Sequence, residues 1–149
     1  MESVRSLSIP VVGANLLVPH AAIAEIIQYQ EPERPPANAK PWLLGTLDWR
    51  EQKIPLISWE VASGAEPPLP RASMRIVILK SWSSREDFPY FAILTQRIPR
   101  LMTVYEESIE PLGEDVDATE LDLAHVLANG EPAIIPDLDK LETKAREVL

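Results

Sequence analysis

Apolar and polar positions alternate with a period of two along much of this chain, the signature of half-buried strands. Leu7, Ile9 and Val11 alternate with Ser6, Ser8 and Pro10, and Pro10 suggests an edge position because proline cannot donate to a ladder. Gly13-Ala14-Asn15 reads as a tight turn, and Leu16-Leu17-Val18 as the returning strand, stopped at Pro19. His20 to Tyr29 fits two patterns. Ile23, Ile26 and Ile27 sit at helical spacing, while Ile23, Glu25 and Ile27 alternate, so a short helical turn leading into a strand is expected. Glu31 to Pro41, with four prolines, reads as an extended loop.

Trp42 to Trp49 predicts a strand with Leu43, Gly45, Leu47 and Trp49 on one face. Arg50 to Lys53 is a polar turn, and Ile54 to Trp59 returns, with Pro55 pointing to an edge or a bulge. Ala62 to Pro70 reads as a connection between two lobes. Two short apolar runs follow, Ile76-Val77-Ile78-Leu79 and Tyr90 to Leu94, around a polar loop from Ser81 to Pro89. Asn129-Gly130 is a two-residue hairpin signal, because both positions take positive φ readily. The C-terminus predicts the one convincing helix. Asp137 caps it, Leu138, Leu141, Ala145 and Val148 form its apolar stripe, and Glu142 and Arg146 are spaced to pair. The fold class expected from this pattern is all-β with a short C-terminal helix.

Composition narrows the function classes. At 149 residues the chain is long enough for a core without staples. It has no cysteine, which excludes disulfides and thiolate metal sites and fits a reducing compartment. The net charge of -9 disfavours nucleic acid and anionic lipid as partners. No apolar run approaches a membrane span, and Met1-Glu2-Ser3-Val4-Arg5 does not open like a signal peptide, so direct membrane insertion is not expected and a cytoplasmic location is.

Catalytic chemistry is not apparent. His20 and His125 lie in no metal-ligand pattern, no nucleophile elbow is present, and five glycines form no phosphate-cradling loop. The acidic run from Glu106 to Asp122 does not match a calcium loop and is expected to be solvated. No metal, cofactor or catalytic residue is expected. Trp42, Trp49 and Trp59 gather around one predicted hairpin, where both core filling and an interface account for them, and Trp82 is expected to be exposed.

The run Gly45-Thr46-Leu47-Asp48-Trp49-Arg50-Glu51-Gln52-Lys53-Ile54-Pro55-Leu56-Ile57-Ser58-Trp59 resembles the signature hairpin of the CheW-like chemotaxis coupling proteins, with Gly45, Arg50, Ile54 and Pro55 at the family's spacing. Leu7-Ser8-Ile9, Leu16-Leu17-Val18-Pro19, Ile23-Ala24-Glu25-Ile26 and the stretch from Ala133 to Leu141 resemble further family elements in order. Three departures stand out: Glu51 replaces a glycine, Ser58 an aspartate, and Leu94-Thr95-Gln96-Arg97 a Val-Asp-x-Val segment. They suggest a divergent member, of the ChpC kind attached to type IV pilus (twitching) chemosensory systems.

The resemblance implies one domain over residues 1–149 built as two five-stranded β-barrel lobes. Lobe one spans about 14–72, and lobe two about 73–149 with the strand 4–12 added. It implies a non-enzymatic adaptor that bridges a CheA-type histidine kinase and the cytoplasmic tip of a methyl-accepting chemoreceptor. Leu7, Ile23 and Ile26 match positions that pack against the kinase, and Glu25 and Arg50 match positions that take part in receptor coupling. A small-molecule-binding β-barrel is the alternative of a different class, and an esterase-like enzyme using His20 or His125 is a third.

Overall fold

The computed structural model describes residues 3–69, 71–81, 89–112 and 119–147. Among these lie eleven strands and two helices. One sheet has six strands in the order β8-β1-β2-β11-β10-β9. They are β1 (Ser3–Val11), β2 (Ala14–Pro19), β8 (Arg100–Tyr105), β9 (Ile109–Pro111), β10 (Asp122–Ala128) and β11 (Glu131–Pro136). The other has five, β3-β6-β7-β5-β4. These are β3 (Ile23–Gln28), β4 (Leu43–Trp49), β5 (Gln52–Ile57), β6 (Arg75–Lys80) and β7 (Tyr90–Thr95). The mainly-β class with a C-terminal helix is as expected.

The division of the chain is not. The middle, 23–95, makes the second sheet, and the two ends together make the first, so a boundary near residue 72 falls inside one sheet. β2 stays with β1 as a hairpin, and β6 reaches back to β3. The segment after Ala62 therefore joins β5 to β6 within one sheet and does not connect lobes. Alternation marks a strand but not its distant partner. The first sheet also gains a sixth strand, the three-residue β9, too short to show a period.

Three clusters of buried side chains hold the sheets. β6 and β7 contribute to two of them at once: Val77, Leu79, Phe91 and Ile93 point into the seam between the sheets, while Ile76, Ile78, Ala92 and Leu94 point into the second sheet's own core. This burial on both faces is why these strands read as continuous apolar runs. The seam also takes Leu7, Ile9, Leu16 and Val18 from the first sheet, and Leu138, Leu141 and Ala145 from helix α2 (Leu138–Arg146). The third cluster, Leu17, Val104, Val126 and Ala128, lies on the other face of the first sheet.

Neither strand proline marks an edge. β1 lies between β8 and β2, but its pairing with β8 ends at Ser8, so Pro10 sits where no donor is needed on that side. β5 lies between β7 and β4, and its pairing with β7 starts at Leu56, one residue past Pro55.

Local signals are obeyed elsewhere. His20–Ala22 forms a single 3-10 turn that leads into β3. Asn129 and Gly130 take φ of 52° and 82° at the β10–β11 turn. Asp137 accepts a hydrogen bond from the Lys140 N–H at 3.1 Å and caps α2. Glu142 does lie near Arg146, at 3.6 Å, but it is fully buried and also accepts from the Ser81 hydroxyl at 2.8 Å. A second buried carboxylate, Glu60 in the short helix α1 (Trp59–Ala62), accepts the Val12 N–H at 2.9 Å and so ties the second sheet to the β1–β2 turn. Val148 and Trp82 lie outside the described residues, as does most of the polar loop after Ser81 and part of the acidic run.

Candidate functional site

The five residues singled out above fall into two groups. Glu25 and Arg50, 25 residues apart in sequence, come together. β3 is an edge strand and carries Glu25, while Arg50 is the first residue of the β4–β5 turn. An Arg50 Nη2 donates to Glu25 Oε1 at a long 3.5 Å, and Trp49 Nε1 donates to Glu25 Oε2 at 3.3 Å. The Arg50 guanidinium lies 4.4 Å above the Trp49 ring, and Tyr90 meets that ring edge-on with centroids 4.8 Å apart. Trp49 is buried, so its indole is both a wall of the core and the platform on which the cation rests.

This geometry leaves the pair usable by a partner. The Arg50 side chain is 63% exposed, with one face on the indole and its outer edge in solvent. A planar fork held in this way presents donors to a carboxylate or carbonyl with less rotamer freedom to lose. The other cation of the hairpin is committed: Lys53 lies 2.9 Å from Glu33 and 3.2 Å from Asp48, and hydrogen bonds to Glu33, then Asp48, raise its pKa.

The turn itself is strained. Arg50 and Glu51 both have positive φ, 47° and 64°. Glu51, where the family pattern has glycine, itself adopts the left-handed conformation. Ser58, in place of an aspartate, accepts the Val61 N–H at 3.2 Å and caps α1, a role both residues fill. Gly45 is required by close approach. Glu33 exchanges two backbone hydrogen bonds with Thr46, and a Cβ at Gly45 would collide with the Glu33 carbonyl. The loop thus covers the outer edge of β4 at this point.

Leu7, Ile23 and Ile26 do not share one environment. Leu7 is 5% exposed and belongs to the seam. Ile23 is half-buried and packs on that cluster, and Ile26 is 36% exposed on β3. The far edge of β3 makes no backbone hydrogen bond with any described residue, leaving a row of donors and acceptors for another chain. Sequence reading missed Leu101 on edge strand β8, which stands opposite Leu7 and is 56% exposed. An apolar residue in a period-two strand gives no sign of which sheet edge it lies on.

The tryptophans divide similarly. Trp49 and Trp59 are buried, while Trp42 donates Nε1 to the Lys144 carbonyl at 2.9 Å beneath the Lys144 ammonium. His125 meets the Asp122 carboxylate at 2.7 Å, which Thr119 anchors through its N–H and hydroxyl. Among the described residues no hydroxyl bonds to His125. No group of three or more potential metal ligands occurs among the described residues, and none of their helices is long and apolar enough to cross a membrane.

Comparison with known proteins agrees with this architecture. The family model for the CheW-like domain matches residues 5–145. Among solved structures, the scaffolding protein TtCheW from Thermoanaerobacter tengcongensis superposes with a TM-score of 0.76 at 14% identity, over 95% of this chain and 88% of that one. No curated protein sequence matches. With the family model spanning nearly the whole of its length, the chain belongs to the CheW-like family.

Proposed function

We propose that this chain is a non-catalytic chemotaxis adaptor that couples the cytoplasmic tip of a chemoreceptor to a CheA-type histidine kinase. Family membership supports the scaffold role. The observation that carries the receptor half is the convergence of Glu25 and Arg50 on Trp49 at an exposed corner of the second sheet. A surface carboxylate and guanidinium held by a buried ring form a small, oriented polar site suited to one face of a receptor helix.

The kinase half rests on β3. Its open edge, exposed Ile26 and half-buried Ile23 suit strand-to-strand or apolar docking of another β domain. Leu7, 5% exposed, belongs to the seam cluster on which Ile23 packs and so backs this surface from within. The altered turn Asp48-Trp49-Arg50-Glu51 favours a divergent member serving type IV pilus motility, and such an adaptor works in the cytoplasm.

Co-purification tests the reading. The tagged chain is expected to retain the CheA-type kinase of its own cell, and to hold a receptor-tip fragment and the kinase in one complex by size-exclusion chromatography. Failure to retain the kinase with folded protein on the resin would contradict the proposal.

A further inference from the structure

Two tryptophans of this chain carry a cation on the ring face, and the two cations stand differently. Trp42 lies beneath the Lys144 ammonium at 4.3 Å. That side chain is 20% exposed and pairs with Glu120 at 2.8 Å, and Trp42 Nε1 donates to the Lys144 carbonyl, so this contact fastens helix α2. Trp49 lies beneath the Arg50 guanidinium at 4.4 Å. There the cation's side chain is 63% exposed, and its ion pair with Glu25 is long.

An exposed Arg–Glu pair at 3.5 Å contributes little and does not by itself hold two flexible side chains in one geometry. The indole supplies the hold. Its Nε1 donates to Glu25 Oε2 at 3.3 Å while its face meets the guanidinium, so one ring touches both members of the pair. The ring is itself fixed. Trp49 is 6% exposed, belongs to the core cluster of Leu47, Ile54 and Leu56, and takes Tyr90 edge-on. A donor and an aromatic face on one locked side chain remove rotamer freedom that Glu25 and Arg50 would otherwise lose on binding.

We propose that Trp49 is the positioning residue of the receptor-coupling corner: it sets Glu25 through its N–H and Arg50 through its ring, by two separable contacts. Its effect on receptor binding rests on the coupling role proposed above for Glu25 and Arg50. Its hold on the two side chains does not, and is measurable in the free protein.

Two substitutions in the full chain separate the contacts. Trp49→Phe keeps an aromatic face and loses the N–H, and Trp49→Leu loses both. Urea unfolding checks that each variant is folded, and Trp49→Phe keeps the test available if Trp49→Leu is not. In NMR spectra of the free protein, the Arg50 Hδ protons are expected to show upfield ring-current shifts in wild type and Trp49→Phe and none in Trp49→Leu. The Trp49 Hε1 resonance should move in Glu25→Gln. In titration with a receptor-tip fragment, Trp49→Phe should weaken binding about threefold, as for one lost hydrogen bond. Trp49→Leu should weaken it about tenfold, having lost the cation–ring contact as well. The first loss should vanish in a Glu25→Gln background, and the second in a Glu25→Gln, Arg50→Ala background, because a positioning residue has nothing left to position. Unshifted Arg50 Hδ protons in wild type, or losses that persist in full in those backgrounds, overturn the positioning role. Wild type without affinity for the receptor-tip fragment contradicts the coupling reading instead, and the ring-current shifts then decide whether Trp49 holds the pair.

Discussion

β3 and β6 are neighbouring strands of one sheet, both rich in isoleucine, and they hydrogen-bond to each other. β6 is an interior strand, and Ile76 to Leu79 are buried on both of its faces. β3 is an edge strand, and its Ile26 faces solvent beside Glu25. The same residue type therefore specifies the core in one strand and offers a surface in the next. What differs is the pairing on the far side, which the chain settles through contacts distant in sequence. The proposed docking surfaces lie where the sheet stops.

Substitutions separate the two strands by size of effect. Ile78→Asp places a carboxylate in a sealed core, and we expect a loss of more than about 4 kcal/mol in urea unfolding, with little folded protein recovered. Near-normal stability for this variant would remove the contrast altogether. Gly45→Ala tests the covered edge of β4 against the open edge of β3. Its new Cβ collides with the Glu33 carbonyl, so a loss of about 3 kcal/mol is expected. The Glu51→Gly change should work in the other direction, raising stability by about 1 kcal/mol by relieving the positive φ. The smallest effect on folding belongs to Ile26→Asp, within about 0.5 kcal/mol of the parent. In isothermal titration this variant should nonetheless bind the kinase fragment at least tenfold more weakly. Unchanged kinase affinity would take Ile26 out of the interface.

Much of the fold was legible wherever the signal is local. The alternation of Leu7, Ile9 and Val11, the turn into β3, the Asn129-Gly130 hairpin and the Asp137 cap each depend on a few adjacent residues. Long-range pairing was not legible. β11 meets β2 in parallel through the single pair Ile134–Leu16, and no pattern in either strand announces it. Pro10 misled for the same reason, since it lies on an interior strand where the neighbour's ladder has ended, while the bulge reading of Pro55 fits the register shift between Leu43 and Gly45 in the strand it pairs with. Nothing local marks Glu60 and Glu142 for burial, because the donors that permit it, the Val12 N–H and the Ser81 hydroxyl, lie 48 and 61 residues away.

The candidate site was legible only in part. Resemblance marked Glu25 and Arg50, and the requirement that a carboxylate among isoleucines face outward or find a cation pointed the same way. It did not reveal Trp49 as the ring beneath the guanidinium. Nor did it separate buried Leu7 from exposed Ile26, since both are apolar residues in strands and only the sheet order tells them apart.

The most direct test of receptor coupling through this corner is a paired titration of the Arg50→Glu variant. Wild type and variant are titrated separately with a receptor-tip fragment and a kinase regulatory-domain fragment. The account predicts that receptor affinity falls at least tenfold, kinase affinity stays within twofold, and the melting temperature hardly moves, because Arg50 is exposed and its ion pair is long. Receptor affinity equal to wild type, or a loss confined to the kinase, would contradict it.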